Sequence, residues 1–333
     1  VQAGSGHLML AMLQANPALL IALTFGLGLL VGSFLNVVIL RFPVRLEWSW
    51  RQEAREVLAL PEVYEPKPPG LVLSRSACPH CGHALSAWEN IPLLSFLLLR
   101  GKCTACKTPI SWQYPAVELI TGILFALCVW RFGISLQLLF ALPFTAALVV
   151  LSGIDLRTTL LPDQITLPLL WLGLIASLIT LFVDPVSAIL GAAAGYLSLW
   201  SVTRLFKLLT GKDGMGEGDF KLLAVIGAWC GIKAVLPVLL LSSLVGAIIG
   251  GIWLAKTKGY PLVASYHTHL PKYLEHYGLG MLEPVLWELL KAAHNQAQLN
   301  LCTSTAMVQE LSDKGIQHTA LWQRGVDTEL FRL

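Results

Sequence analysis

The stretch SGIDLRTTLLPDQITLP, residues 152–168, ends one long apolar run and begins the next, placing Asp155 and Asp163 at the junction. A second junction, GMGEGDF at 214–220, repeats the arrangement with Glu217 and Asp219 at the mouth of another apolar segment. A carboxylate at the centre of a bilayer costs about 2.5–3.5 kcal/mol on insertion scales, so acids near membrane depth are kept for a purpose. Whether these acids cap helices or carry chemistry decides what the chain does.

The flanking sequence favours the membrane. Of 333 residues, 55% are hydrophobic and only 13% charged, where a soluble domain carries about a quarter charged residues. Spanning helices of about 20 apolar residues are predicted at 18–40, 114–132, 134–153, 163–183, 185–206 and 234–255, with a shorter apolar piece at 220–232. Backbone in hydrocarbon must bond to itself, so each is read as a helix. The expected fold is an all-α polytopic membrane protein with a cytoplasmic zinc-binding loop, followed by a C-terminal soluble mixed α/β fragment. Its divisions are an N-terminal segment 1–17, a first transmembrane helix 18–40, a zinc loop 41–113 with four cysteines, a transmembrane core 114–258 and a tail 259–333. The lysines and arginines of 41–113 place that loop in the cytoplasm. Threading from there puts both acidic junctions on the same side, provided 220–232 crosses. A net charge of +3, spread over loops, excludes a nucleic-acid-binding surface.

Within the polar loop, Cys78 and Cys81 form one CxxC pair and Cys103 and Cys106 another. Two such knuckles offer four thiolates in the tetrahedral arrangement of a closed structural Zn2+ site. The alternative is a pair of reduced, metal-free motifs. His80 and His83 lie near, but four cysteines already complete a site. The remaining cysteines, Cys128, Cys230 and Cys302, read as small buried hydrophobes.

For the acids, two readings stand side by side. Asp155 and Asp219 can face one another at a water-accessible mouth, share a proton and perform aspartic-protease chemistry. Equally, each acid can be a helix N-cap answering orphan N–H groups, the preferred reading for Asp163 after Leu161-Pro162. A transporter or channel using the aspartates as ion sites is a third possibility, although it has no use for the CxxC loop. Glycines 214, 216 and 218 offer backbone freedom and close approach to a substrate.

The quoted motifs GSFLNVVILRFP, CPHC…CTAC, ENIPLLSFLLLRGKC, PISWQYPAVELITG, IDLRTTLLPDQITLPLLWLGL and GMGEGDFKLLAVIGAW occur in order over roughly 20–256. Together they resemble the bacterial type IV prepilin peptidases, GxGD-type intramembrane aspartic proteases. The resemblance implies catalytic Asp155 and Asp219, with Glu217 a bystander. It implies cleavage of prepilin and type II secretion pseudopilin leaders at the cytoplasmic face of the bacterial inner membrane, within membrane lipid. It also implies N-methylation of the new amino terminus with S-adenosylmethionine, in which Gly101 and Lys102 take part, and a zinc loop at Cys78, Cys81, Cys103 and Cys106. Glu89 and Glu118 are further acids available to a basic leader.

The resemblance changes character after Lys258-Gly259. That family usually closes with a PIPFGP-like loop and a last membrane helix, which do not follow here. Instead SYHTHLPKY, STAMVQELSDKG and RGVDTELF resemble part of a GT-B glycosyltransferase of the family 4 type. The donor-sugar half is missing, so glycosyltransfer is not expected; the tail reads as a fusion, a misassembled gene model or an engineered chimera, with an inactive chimera as the alternative outcome. In it, LEPVLWELLKAAHNQA and TAMVQELSDKG have amphipathic helical periodicity, the second capped by Ser304 or Thr305.

Overall fold

A computed structural model describes residues 16–61, 63–72, 74–212, 214–258, 263–266 and 283–321. It is mostly helical, with a small strand-containing region at the C-terminal end. Five helices are long and apolar enough to cross a membrane. The chain divides into two compact units, one up to Leu236 and one from Pro237.

The first unit begins with α1 (Pro17–Val57), opened by the side chain of Asn16, which accepts from the Leu19 N–H, and by Pro17 in the first turn. Its 41 residues run well past the membrane helix predicted at 18–40. The extension survives in water because the chain after it returns alongside it. Arg41 donates to the carbonyls of Gly70, Ser74 and Arg75, Arg45 to Pro68, and Trp48 to Glu65. The returning segment contains Pro61, Pro66, Pro68 and Pro69, and proline has no N–H to build a ladder. Its carbonyls are therefore answered by side chains of one α1 face. Arg51 and Gln52 reach the Glu65 carboxylate further along.

The Cys-rich loop contains a short helix, α2 (Leu94–Leu98), and leads into α3 (Gln113–Phe132). α1 packs along α3 through small residues: a Cβ at Gly28 or Gly32 would meet the α3 backbone at Gly122 or Glu118, 2.7 Å away in each case. Next come α4 (Leu136–Thr158), α5 (Asp163–Leu178), α6 (Pro185–Thr210), α7 (Glu217–Cys230) and α8 (Ile232–Lys258). The predicted span 163–183 is realised as a helix of only 16 residues. At 1.5 Å per residue that is about 24 Å, short of a hydrocarbon core, and it is absent from the five candidate spans. Of the apolar piece 220–232, residues 220–230 fall in the 14-residue α7, which stops at Gly231 with positive φ, and Ile232 opens α8.

A core of Leu151 from α4, Leu169 from α5, and Val225, Ala228 and Trp229 from α7 joins these three helices. Trp229 donates its indole N–H to the Leu169 carbonyl at 2.9 Å, answering a polar group where no water reaches. α6 and α7 meet backbone to backbone at Gly191 and Gly227. Elsewhere the helices turn leucines and isoleucines outward, Leu30, Leu139 and Leu241 among them, as a lipid-facing surface requires.

In the second unit, β1 (Val263–Tyr266), β2 (Leu299–Cys302) and β3 (Thr319–Leu321) form a parallel sheet in that order. α9 (Glu283–His294) and α10 (Thr305–Asp313) supply its connections. Tyr266, Trp287, Cys302, Met307, Leu311 and Ile316 form its core. Ser304, one of the two caps named from sequence, accepts from the Met307 N–H. Most of SYHTHLPKY and all of RGVDTELF lie outside the described residues, as does most of the segment 1–17.

Candidate active site and metal centre

The two acidic junctions come together. α4 ends when Thr159 turns left-handed and its N–H closes on the Asp155 carbonyl at 2.8 Å. Asp155 thus sits in the last turn, half-buried. α7 starts from extended Gly216, so Asp219 occupies its first turn, where the helix dipole favours negative charge. The two are drawn together by Gly218: a Cβ there would lie 2.7 Å from the Leu161 Cβ. Only glycine lets the second junction press against the first. The freedom expected of these glycines is not used as bending, since 214, 216 and 218 all avoid positive φ.

The helix-end acids separate into two kinds. Asp184 caps α6 by accepting from the Ser187 N–H. Asp163 is not the cap expected of it: Pro162 holds that position, and the Asp163 carboxylate takes both oxygens to Lys221 Nζ at 2.8 Å. Among the described residues, Asp155 and Asp219 accept no hydrogen bond and pair with no cation; burial first, and then the charge of Asp155, push the Asp219 carboxyl above its usual range. Neither side chain makes a capping hydrogen bond, although Asp219 keeps the first-turn place that the helix dipole favours.

The cysteine loop is built from two matching turns. In the first, Cys78 N–H bonds to the His83 carbonyl and Gly82 N–H to the Cys78 carbonyl. In the second, Cys103 N–H bonds to Thr108 and Lys107 N–H to Cys103, in the same pattern. Gly82 and Lys107 are left-handed at equivalent places, and a single bridge closes each turn, Ala77 with Ala84 and Lys102 with Pro109. The four Sγ atoms lie within 4.8 Å of one another. Cys78 and Cys106 are 3.8 Å apart and Cys81 and Cys103 4.0 Å. Tetrahedral zinc–thiolate bonds of about 2.3 Å set sulfur–sulfur edges of about 3.8 Å, so this donor set fits a metal. Thr108, through its side chain and its backbone, holds the Cys106 thiol down to about 6, toward the thiolate that ligates.

Glu89 ties the two turns together. It accepts from the Ser86 hydroxyl and N–H and from the Thr104 hydroxyl, with His83 Nε2 beside it. These donors, Ser86 and Thr104 foremost, hold its carboxyl at about 2. His83 therefore answers Glu89, and neither histidine belongs to the sulfur cluster.

Comparison with known proteins settles the family. Residues 27–132 match a family described as the bacterial peptidase A24 N-terminal domain, and residues 142–251 match the type IV leader peptidase family. A Xanthomonas campestris protein named prepilin leader peptidase/N-methyltransferase is 58% identical over 245 residues, covering 74% of this chain and 85% of its own. The chain belongs to that family. Relatives of the same name from Pseudomonas aeruginosa (53% identical, 73% of this chain and 83% of theirs) and Neisseria gonorrhoeae (53%, 67% and 78%) agree. No solved structure gives a significant match.

The family's two parts divide the site. The A24 N-terminal part holds α1, the cysteine turns and α3; the peptidase part holds Asp155 and Asp219. Residues 237–330 match glycosyltransferase family 4, beginning where the second unit begins. Gly101 is left-handed and packs on Phe96, while Lys102 is exposed beside it. Glu118 is buried on α3 and accepts from the Leu93 N–H; with Glu89 it serves the loop and its root. Sequence reasoning passed over Lys221 and Leu161, which act only through partners brought near by folding. Of the scattered cysteines, Cys302 is buried but Cys230 is exposed.

Proposed function

We propose that this chain is an intramembrane aspartic endopeptidase that cuts the leaders of type IV prepilins and type II secretion pseudopilins, and then N-methylates the new amino terminus. One observation carries the peptidase reading. Asp155 and Asp219 come from two helix ends pressed together at Gly218, and among the described residues they lack any other polar partner. One carboxylate takes a proton from water as it attacks the scissile carbonyl; the other gives a proton to the departing amine. Gly216, exposed and with nothing within 4 Å of a would-be Cβ, leaves room for a substrate backbone beside α7.

Cys78, Cys81, Cys103 and Cys106 would hold Zn2+ as a structural clasp. S-adenosylmethionine would supply an activated methyl group to the new amine, which would pass a proton to water and leave S-adenosylhomocysteine. Gly101 and Lys102 serve this second step. In this reading the peptidase core is 114–258, the tail 259–333 is a glycosyltransferase-like addition, and the acidic site faces the cytoplasm across the inner membrane. The basic loop 41–113 supports that orientation.

The test is leader cleavage by purified protein in lipid. Asp155→Asn and Asp219→Asn should each lower the rate by about a thousandfold or more, as loss of an acid–base partner does. Cleavage near the unmodified rate in either variant rejects the mechanism.

A further inference from the structure

A cavity of about 630 Å³ lies between the middle of α1, the cysteine turns and the start of α3, and neither Asp155 nor Asp219 lines it. We propose that it is the binding site of the methyl donor, a nucleoside joined to an amino acid through a sulfonium; this rests on the methyl-transfer reading above. Its volume lies in the range of small-molecule sites, about 300–1,000 Å³. Such a site is mainly apolar with few polar groups, and this wall combines Val37, Leu40 and Ile110 with Asn36, Glu118 and Arg157.

Two polar atoms of the wall are left unanswered by protein. Asn36 is 2% exposed and gives its amide N–H groups to the Gly32 and Tyr114 carbonyls, while its Oδ1 has no partner. Gln113 accepts from Arg157 at 2.8 Å through Oε1, while its Nε2 has none. A buried unpaired polar atom costs about 1–3 kcal/mol. Asn36 is on α1 and Gln113 on α3, so two elements of the wall carry an acceptor and a donor with unused bonding capacity. Phe96, paired with Trp112 at 4.9 Å, presents an aromatic ring in the same wall, and the buried Glu118 carboxylate is a counter-charge for a sulfonium or ammonium.

The cavity also explains why residue 101 is glycine. At φ +67° a side chain is strained, and a Cβ would meet the Phe96 ring at 3.0 Å. Gly101 is thus a positioning residue, acting on the cavity through Phe96. Arg157, in the wall, is two residues beyond Asp155 on the same turn of α4. The donor site and the cleavage site therefore back onto one helix about 10 Å thick, so the amine freed on one side has a short path to the other.

The probe is S-adenosylhomocysteine, titrated calorimetrically into the full chain in lipid nanodiscs. Val37→Phe, which fills the cavity, and Gly101→Ala, which moves Phe96, should each raise its Kd by about tenfold or more. The melting temperature and circular dichroism of both variants should match those of the unmodified protein, which separates loss of the cavity from generalised misfolding. On unmodified protein, ultraviolet cross-linking of methyl-labelled S-adenosylmethionine should mark peptides within 33–41, 95–99 or 109–118. Saturable binding with label elsewhere, or unchanged Kd in Val37→Phe, overturns the cavity assignment and leaves methyl transfer standing. No binding, together with an unmethylated cleaved product, overturns both.

Discussion

At the scale of single residues, the position between the two acids of the second junction matters as much as the acids. Gly218 is needed because Leu161 occupies the space a side chain would take. Gly218→Ala forces a shift of the first turn of α7, which is the turn that holds Asp219. Overpacking of this kind costs about 1–3 kcal/mol, but the larger effect is on geometry, where a 1 Å displacement loses about a hundredfold in rate. Leader cleavage should fall by that order while the protein stays folded, and Leu161→Ala should recover part of it; a Gly218→Ala enzyme with normal rate would show that the approach is not needed. Glu89 gives a second residue-scale expectation. Its carboxyl is held at about 2 by Ser86 and Thr104, below its ordinary value. A depressed carboxylate stabilises above its unfolded pKa and loses that contribution as pH falls through the folded value. The loop should therefore be insensitive to this group at neutral pH and loosen only between about 4.5 and 2. Hydrogen exchange of 86–104 checks this, with Glu89→Gln loosened already at pH 7.

At the scale of elements, α1 shows how much of a helix can be written outside it. The apolar run made 18–40 legible as a helix, because period and length suffice for that. The continuation to Val57 was not legible, because RFPVRLEWSWRQEAREV has charges throughout and Pro43 within. It depends on carbonyls of a proline-rich segment 17 to 34 residues away in sequence. Arg41→Ala removes three such bonds and should expose 63–75 to limited proteolysis, at a local cost of about 1–3 kcal/mol. The cysteine turns behave in the opposite way. Their CxxC spacing was readable at once, because a ligand set is local chemistry; the matched hydrogen bonds behind it were not. Chelation of the purified protein should make 76–110 protease-sensitive while helix content measured by circular dichroism changes little, since α1 and α3 pack on each other directly. Loss of most helical signal on chelation would mean that the clasp supports the whole bundle.

At the scale of the whole molecule, the acids were legible as a pair only through motif order, since composition left them divided between cap and catalyst. The neighbouring acids are taken up elsewhere: Asp163 is answered by Lys221, 58 residues away, and Asp184 by a backbone N–H, whereas Asp155 and Asp219 have no hydrogen bond or ion pair among the described residues. Everything that sets this pair, the Leu151–Leu169–Val225–Trp229 core, the Gly191–Gly227 contact and the Leu161–Gly218 contact, lies in the unit ending at Leu236. The glycosyltransferase-like tail contributes none of those side chains, and its strands and helices form a core of their own around Trp287 and Leu311. Ending the chain after Lys258 should therefore leave leader cleavage within about threefold of the full-length rate, because a change that touches no acid–base or positioning group moves the barrier by well under 1 kcal/mol. A loss of about a hundredfold or more in membrane-inserted, correctly folded truncated protein would instead assign the tail a part in holding the peptidase core, and the two matched families would have to be read as one working unit.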